Sequence, residues 1–350
     1  MSPSQRETTS PGLLVFRFSA MGDVILSRHV LLALKKKYPE TRVSMVSQEF
    51  FRPVFDDIPD LNFIGVDFKN RHKGLAGLWR LSREFVAADY RIVADLHNVL
   101  RSRILCYFMS WQARGFEFYH IDKGRSEKRK LTRRFGKVMH PLKHTTQRYA
   151  DVFAKSGFPL SDFTGRSLKG LNQEIKNKKT RKPKIGIAPL SRHLLKEWPA
   201  RYMTLFMEKI AREFSCEFYL LGGPGEKDKL EKYLVCGAIS LAGKNSFSEE
   251  IEILKKLDLV ISMDSGNMHL AGMLGIPVIS FWGPTHPYAG FSPVGSKNLT
   301  VQNSRLECRP CSVFGNKPCF RKDHACMTEL YPEEAFRQTN PFIRNLFRNK

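Results

Sequence analysis

The stretch LVISMDSGNMHLAG, residues 259–272, joins a short apolar run to a turn and a helical pattern. Its first five residues are apolar enough for a buried strand, and Ser265 and Gly266 favour a turn directly after Asp264. The next residues have the apolar spacing of a helix. A strand, a tight turn and a helix in this order are typical of a parallel sheet covered by helices, so the stretch predicts an α/β fold.

The same alternation occurs in both halves of the chain. Strands are predicted at residues 13–18, 42–47, 63–66, 91–96, 184–189, 216–221, 259–263 and 278–282. Helices are predicted between them, at residues 24–37, 77–88, 99–110, 199–214, 227–234, 248–257 and 267–274. We therefore expect two Rossmann-like domains facing a cleft, with functional residues in the loops that follow the strands.

Composition shifts predict the domain boundaries. We expect a flexible tail at residues 1–10, an N-terminal Rossmann-like domain at 11–165 and a polar linker at 166–183. A second Rossmann-like domain at 184–331 and a C-terminal helix at 332–350 follow.

Charge is the unusual property of this chain of 350 residues. Lys and Arg number 57 and Asp and Glu 34, giving a formal net charge of +23. Hydrophobic residues at 42% and charged residues at 26% exclude wholesale disorder. With no apolar run of about 18 residues and no secretory signal, we expect a soluble intracellular protein. The charge implies a polyanionic partner, which could be nucleic acid, a membrane surface or a phosphorylated substrate.

Four cysteines near the C-terminus form a C-x2-C-x7-C-x6-C pattern: Cys308, Cys311, Cys319 and Cys326. A structural zinc site is one interpretation of four thiols so close together. Reduced, partly buried thiols are the open alternative, since the second pair is not spaced like a zinc ribbon.

Two loops combine polar side chains with helix starts. Asp23, after Gly22 in the first loop, is either a helix N-cap or a general base at the predicted cleft. In the second half, Ser191, Arg192 and Lys196 precede a helix that Pro199 would open, which suits a phosphate group as well as a solvated basic loop.

Two later loops carry carboxylates. Glu226 follows a glycine-rich turn and suits ribose hydroxyls, although such turns are also common in packing. Asp264 would repel phosphate and suits sugar hydroxyls instead, whereas the helix that begins after Ser265 offers free N–H groups to a diphosphate. His269 in that helix either contacts phosphate or satisfies a carbonyl group.

Two further segments suit an anionic or sugar acceptor. Asn98 and Arg101 follow a predicted strand, and residues 123–137 contain eight cations against the single acid Glu127. We assign Asn98, Arg101, Lys128, Arg129 and Lys130 to acceptor binding, with a solvated basic face as the alternative for the charged run. No D-x-D sequence occurs, so cations and a helix N-terminus are expected to neutralise a leaving diphosphate.

These motifs together resemble glycosyltransferase family 9, the ADP-heptose:lipopolysaccharide heptosyltransferases, from about Leu13 to Met327. The resemblance rests on four pieces in order: SAMGD at residues 19–23, KEWP at 196–199, GGPGE at 222–226, and DSGNMH at 264–269 leading to FWGPT at 281–285.

The resemblance implies a GT-B fold with the donor in the C-terminal domain, the acceptor in the N-terminal domain, inversion at the anomeric carbon and no required metal or other cofactor. It makes Asp23 the general base, Lys196 the residue that neutralises donor phosphate, Asp264 the residue that holds the donor sugar and Glu226 a ribose contact. Ser265, Gly266 and Asn267 would form the diphosphate cradle. The remaining donor contacts that we assign are Ser19, Gly22, Ser191, Arg192 and His269.

The expected function is transfer of a heptose or related sugar from an ADP-sugar to a lipopolysaccharide core or lipid A–Kdo acceptor. We expect it on the cytoplasmic face of the inner membrane, with an anionic membrane surface and no nucleic acid as partner. The alternative is a basic nucleic-acid- or nucleotide-binding Rossmann protein without transferase activity. An NAD-dependent enzyme is disfavoured because G-x-G-x-x-G is absent from the first loop.

Overall fold

A computed structural model describes residues 12–88, 90–160, 163 and 181–348. These divide into two compact units: the described parts of Met1–Lys123 with Thr145–Thr164, and those of Gly124–His144 with Gly165–Lys350. The predicted tail at 1–10 and all but the last three residues of the predicted linker lie outside the described residues.

The first unit is a five-stranded parallel sheet in the order β3-β2-β1-β4-β5. Its strands are β1 (Gly12–Phe16), β2 (Val43–Gln48), β3 (Leu61–Val66), β4 (Tyr90–Asp95) and β5 (Glu117–His120). Its helices are α1 (Met21–Lys37), α2 (Gly74–Ala87), α3 (Leu100–Gln112) and, later in the chain, α5 (Thr145–Lys155). The chain proceeds outward from β1 in one direction and then returns to add β4 on its other side, so the topological switch point lies between β1 and β4.

The second unit is a six-stranded parallel sheet in the order β11-β10-β9-β6-β7-β8. Its strands are β6 (Lys184–Ala188), β7 (Glu217–Leu220), β8 (Ile239–Ser240), β9 (Leu259–Met263), β10 (Val278–Phe281) and β11 (Asn298–Val301). Its helices are α4 (Arg125–Leu131), α6 (Ala200–Glu213), α7 (Lys227–Leu230), α8 (Phe247–Leu254), α9 (Gly266–Met273), α10 (Ala325–Thr328) and α11 (Pro332–Phe347). Its switch point lies between β6 and β9.

Continuous apolar runs explain the central strands. Every residue of β1, β9 and β10 is buried, as expected of parallel strands that are covered on both faces. In the second unit Trp198 packs against Phe281 at a ring-centroid distance of 4.8 Å, and Phe206 lies 5.7 Å from both rings. Helix α11 closes this core by burying Ala335 and Ile343, so the predicted C-terminal helix is part of the second unit.

The structure differs from the predicted first domain at one segment. Residues 124–144 belong to the second unit, because Leu131 and Leu142 form an apolar cluster with Ala289 of that unit. The strands β5, β8 and β11 and the helices α4, α5 and α10 are absent from the predicted elements. The three strands have at most four residues each and lie at sheet edges.

Among the described residues, no helix combines the length and the hydropathy that crossing a bilayer requires.

Candidate functional site

In the first unit, the end of β1 places two opposite charges side by side. The buried guanidinium of Arg17 forms an ion pair with the carboxylate of Asp23, whose side chain is 24% exposed, and donates to the carbonyl of Leu96 at 2.8 Å. Burial lowers the pKa of Arg17, but the neighbouring Asp23, Tyr149 and Asp95 outweigh it and raise the pKa. Arg17 is therefore a fixed cation that holds the Asp23 carboxylate in place.

Asp23 lies in the first turn of α1 and is not its N-cap. Ala20 holds that position, so the N-cap interpretation of Asp23 is wrong. Gly22 lies inside the helix and not in a tight turn, directly beside Asp23, while Ser19 lies in the loop before it. The helix N-terminus favours a negative charge at Asp23. The Tyr149 hydroxyl donates to the backbone carbonyl of Asp23 at 3.3 Å and so fixes the backbone at this residue.

The loop after β4, across the switch point, is organised by the fully buried carboxylate of Asp95. It accepts from the backbone N–H groups of His97 at 2.9 Å and Asn98 at 2.7 Å, and from the Ser102 hydroxyl at 2.7 Å. It also lies 3.1 Å from Nδ1 of His120. Burial alone would raise the pKa of Asp95, but these hydrogen bonds outweigh it and lower the pKa.

His97 is neutral at physiological pH. Burial, with the positive charge of Arg17 beside it, lowers the pKa of His97 to about 3. Its Nδ1 atom is buried and has no hydrogen-bond partner among the described residues. Its ring packs edge-on against Phe18, with ring centroids 5.5 Å apart.

The two predicted acceptor residues of this loop have structural contacts. Asn98 has a φ of +46°, and its amide donates to the Ile121 carbonyl at 2.9 Å and accepts from Arg103 at 2.8 Å. Arg101 is exposed, and its guanidinium lies over the ring of Phe68 at 4.3 Å.

In the second unit, Lys196 and Asp264 meet across the switch point. Lys196 follows β6 and Asp264 follows β9, and both are buried. The ammonium of Lys196 donates to the Asp264 carbonyl at 2.5 Å and lies 3.4 Å from its Oδ2 atom. The Ser191 hydroxyl donates to the same carbonyl at 3.3 Å. These three predicted donor residues are therefore brought together.

The four residues of the motif from Lys196 to Pro199 have different structural roles. Glu197 accepts from the Ser191 backbone N–H at 2.9 Å and so closes the loop, and burial raises the pKa of Glu197. Trp198 is buried in the core and donates to the Leu330 carbonyl at 2.9 Å. Pro199 is the N-cap of α6. The motif thus anchors the loop so that Lys196 reaches Asp264.

Thr285, the last residue of the FWGPT motif, has a role at the site that its sequence pattern did not predict. Its buried hydroxyl donates to Oδ2 of Asp264 at 2.8 Å. Arg309, also buried, donates to the carbonyls of Gly283 at 2.5 Å, Trp282 at 2.7 Å and Thr285 at 3.1 Å. Burial lowers the pKa of Arg309 to about 10. Arg309 therefore fixes the loop from which Thr285 reaches Asp264.

The cysteine-rich segment supports the Lys196 loop. Gly315 has a φ of +74°, and a Cβ atom there would lie 2.7 Å from Cδ of Lys196. His324 forms a hydrogen bond of 2.6 Å with the Leu195 carbonyl. The segment therefore packs on the stem of Lys196, a role that a spacing of thiols does not reveal.

Zinc at the four cysteines stays a prediction. All four are free of disulfides, and Cys326 is buried with its pKa raised to about 12 by burial. In the part of the chain that the structure describes, no three Cys, His, Asp or Glu residues are arranged to hold a metal ion.

The N-terminus of α9 has no side-chain cap, so its first N–H groups have no capping side chain as a partner. Ser265 is its N-cap, but its hydroxyl lies 3.1 Å from that of Ser262 and makes no capping bond. Ser265, Gly266 and Asn267 are half-buried, whereas His269 is buried one turn later.

Two other predicted donor residues are placed differently. Glu226 is half-buried, and its carboxylate accepts from the Gly223 backbone N–H at 2.7 Å, which stabilises its own turn. Arg192 is exposed at the edge of the Ser191 loop.

The remaining acceptor candidates lie on α4. Lys128 is buried, with its ammonium 4.4 Å from the centre of the Phe291 ring, whereas Arg129 and Lys130 are exposed. All three belong to the second unit, unlike Asn98 and Arg101, which belong to the first.

Comparison with known proteins identifies the family. The profile of glycosyltransferase family 9 (heptosyltransferase) matches residues 78–318, which is more than half of the chain. The chain belongs to glycosyltransferase family 9. This confirms the resemblance found in the sequence and makes the protein a glycosyltransferase.

Relatives and solved structures agree with this family 9 assignment. Lipopolysaccharide heptosyltransferase 1 of Pseudomonas aeruginosa is 24% identical, covering 95% of this chain and 98% of its own. The glycosyl transferase family 9 structure from Veillonella parvula has a TM-score of 0.73 at 20% identity, over 96% of this chain and 98% of its own. The E. coli heptosyltransferase WaaC with ADP has a TM-score of 0.66 at 18% identity, over 95% and 99%.

The fold class is therefore GT-B, as predicted. The alternative of a binding protein without transferase activity loses its support.

Proposed function

We propose that this family 9 enzyme transfers a heptose from ADP-heptose to a lipopolysaccharide core or lipid A–Kdo acceptor. The observation that carries the proposal is the junction of Lys196, Asp264 and the uncapped start of α9 at the switch point of the second unit. The Pseudomonas relative is named for lipopolysaccharide, and an E. coli neighbour was solved with ADP-2-deoxy-2-fluoro heptose.

The second unit suits a nucleotide-sugar donor. The N–H groups at Ser265, Gly266 and Asn267 and the ammonium of Lys196 would hold the diphosphate, because both carry positive charge. Asp264, fixed by the Thr285 hydroxyl, would accept hydrogen bonds from the sugar hydroxyls. As the glycosidic bond to the diphosphate breaks, the same donors stabilise the growing negative charge.

Asp23 suits the role of general base. Its carboxylate is partly exposed, lies at a helix N-terminus and is held by Arg17, so it is fixed in place and open to an acceptor hydroxyl. In the proposed step the acceptor oxygen loses its proton to Asp23 and attacks the anomeric carbon from the face opposite the leaving ADP. The anomeric configuration is thereby inverted.

We further propose that the reaction requires no metal ion. Lys196 and the α9 N-terminus supply the charge that a divalent cation would otherwise provide at the diphosphate. Structural zinc at the four C-terminal cysteines is a separate proposal.

The acceptor is proposed to be anionic and lipid-borne. Arg101, Arg129 and Lys130 are exposed cations that fit its phosphate or carboxylate groups. We propose on the same grounds that the enzyme works on the cytoplasmic face of the inner membrane, where its net charge of +23 would meet anionic lipids.

The test is a donor panel with the purified full chain and a Kdo-terminated core acceptor, detecting ADP release and product mass. ADP-heptose should support turnover in the presence of EDTA, and NMR of the product should show the inverted anomer. A donor other than ADP-heptose turning over at least tenfold faster would refute the donor assignment.

Asp23→Asn is the variant for the base, and it should lower kcat by about 10²–10⁴. Asp57→Asn is a matched control, because Asp57 also pairs with an arginine, Arg28 at 2.7 Å, on the same unit. Turnover of Asp23→Asn within tenfold of the unmodified enzyme would remove Asp23 from the mechanism.

A further inference from the structure

Helix α3 is apolar on two of its faces. The inner face buries Leu105, Cys106 and Met109 against the sheet of the first unit. On the outer face Leu100 is 76%, Tyr107 65% and Trp111 70% exposed. The sheet covers the first face, whereas these three side chains of the second face stay more than half exposed among the described residues.

Helix α2 continues this outer face with further apolar side chains. Trp79 lies 5.2 Å from Phe108 and 5.2 Å from Trp111, measured between ring centroids. Leu75, one turn before Trp79, is 61% exposed. We call these side chains of α2 and α3 the aromatic surface; they are Leu75, Trp79, Leu100, Tyr107, Phe108 and Trp111.

Cations surround the aromatic surface. Arg80, Arg83 and Arg103 are exposed on the same two helices, and Lys73 and Arg114 are exposed at their ends. The one acid within α2 and α3 is Glu84, which pairs with Arg71 at 2.7 Å. The patch is thus apolar in its middle and positive at its edge.

Charge selects among the partners that could cover it. A second copy of this chain would bring the same cations against each other across a symmetric interface. A bilayer containing anionic lipids offers an apolar interior, an interfacial zone that favours Trp and Tyr, and negative headgroups for the arginines.

We propose that the aromatic surface of α2 and α3 is the membrane-docking site of this enzyme. Trp79, Tyr107 and Trp111 enter the interfacial zone of the bilayer, and the surrounding arginines bind anionic headgroups. This inference extends the proposed function and rests on it in one respect only, the expectation that the acceptor is carried by a lipid. Binding to vesicles is measured without donor or acceptor, so the two fail independently.

Tryptophan fluorescence provides a direct readout. The chain has four tryptophans, of which Trp198 and Trp282 are 2% and 1% exposed in the second unit. A blue shift on adding vesicles, and quenching by brominated acyl chains, would therefore report on Trp79 and Trp111.

The experiment uses the full chain and vesicles of phosphatidylglycerol and phosphatidylcholine in equal parts, with pure phosphatidylcholine for comparison. The anionic vesicles should bind the protein and shift its emission to the blue. The double variant Tyr107→Glu/Trp111→Glu should bind at least tenfold more weakly, and Arg80→Glu/Arg83→Glu should lose the preference for anionic lipid. Leu234→Glu, at a residue 50% exposed in the second unit, is the matched control and should bind like the unmodified protein.

Several results would overturn the inference. They are absence of vesicle binding, unchanged binding of Tyr107→Glu/Trp111→Glu, or loss of binding only in Arg129→Glu/Lys130→Glu on α4. A dimer in solution that Trp111→Glu converts to monomer would assign the surface to self-association instead. Circular dichroism and turnover on a deacylated, water-soluble acceptor should be unchanged in Tyr107→Glu/Trp111→Glu, which separates docking from folding and from catalysis.

Discussion

Replacing Lys196 with Met removes the ammonium group from Asp264 and keeps most of the side-chain stem that packs on Gly315. The two charged side chains are only 11% and 12% exposed, so the carboxylate is left in a largely dehydrated position. Removing one member of a buried ion pair costs about 3–5 kcal/mol. Because the Thr285 hydroxyl still donates to Asp264, we expect the lower end, about 3 kcal/mol.

In a unit of this size each kcal/mol corresponds to about 2–4 °C in Tm, so the second unit should melt about 6–12 °C lower. Loss of the cation facing the leaving diphosphate should also lower kcat by about 10²–10³. Differential scanning calorimetry and ADP release measure the two effects separately.

The double variant Lys196→Met/Asp264→Asn removes the isolated charge. It should recover more than half of the lost Tm but none of the lost turnover. Lys209→Met is the matched control, because Lys209 pairs with the exposed Glu333 at 3.0 Å and such surface pairs contribute less than about 1 kcal/mol. A Tm of Lys196→Met within 2 °C of the unmodified protein, together with turnover within fivefold, would refute the roles given to Lys196.

Three other perturbations follow from the same structure. Thr285→Val should lower the free energy of unfolding by about 1.5–3 kcal/mol, because a hydrogen bond to a charged group is lost. Thr285→Ser retains that hydrogen bond and is the control. Equal urea midpoints for the two variants would contradict the role given to the hydroxyl. Gly315→Ala should weaken ADP binding measured by calorimetry, because the φ of +74° and the close approach of Lys196 both disfavour a Cβ atom at this position. Unchanged ADP affinity would contradict the proposal that the cysteine-rich segment supports the Lys196 loop. In the folded protein His97 has a pKa of about 3 and stays neutral, whereas in the unfolded chain it takes up a proton below about pH 6.5. Lowering the pH from 6.5 to 5 should therefore reduce the free energy of unfolding by about 2 kcal/mol. His97→Gln should flatten that pH dependence in urea unfolding of the first unit, and an unchanged slope would disprove it.

Local patterns in the sequence were sufficient for the longer, central strands and for the loops that follow them, but not for the short edge strands β5, β8 and β11. Lys196 and Asp264 were both identified because each lies after an apolar strand, and parallel strands bring their carboxyl ends to one edge. Lys196 and Asp264 contact each other directly because β6 and β9, which precede the two loops, are neighbouring strands. The same reasoning could have predicted this contact.

Contacts between distant segments were not predictable in the same way. Tyr149 reaches the backbone of Asp23 from 126 residues away, and Arg309 organises a loop 24 to 27 residues before it. Tyr149 lies in α5, a helix absent from the predicted elements, and Arg309 lies in irregular structure. A better signal existed for Arg17, a charged residue at the end of an otherwise apolar strand, which in a buried position requires a counter-ion.

The basic run shows a different limit. Charge counting predicts a solvated face, but a lysine also carries a long apolar stem. Lys128 is buried for this reason, and Lys137 donates to the carbonyls of Cys308 at 2.6 Å and Pro310 at 2.9 Å. Part of the charge therefore contributes to packing within the second unit.

The exchange of residues 124–144 and 145–164 between the units has a consequence for protein engineering. No single cut of the chain yields both units intact, because a fragment ending at Lys123 would lack α5 and with it Tyr149 beneath Asp23. Chimaeras with other family 9 enzymes, built to exchange acceptor preference, would need two junctions more than a simple two-part fusion. Residues 145–164 would have to travel with the first unit and residues 124–144 with the second.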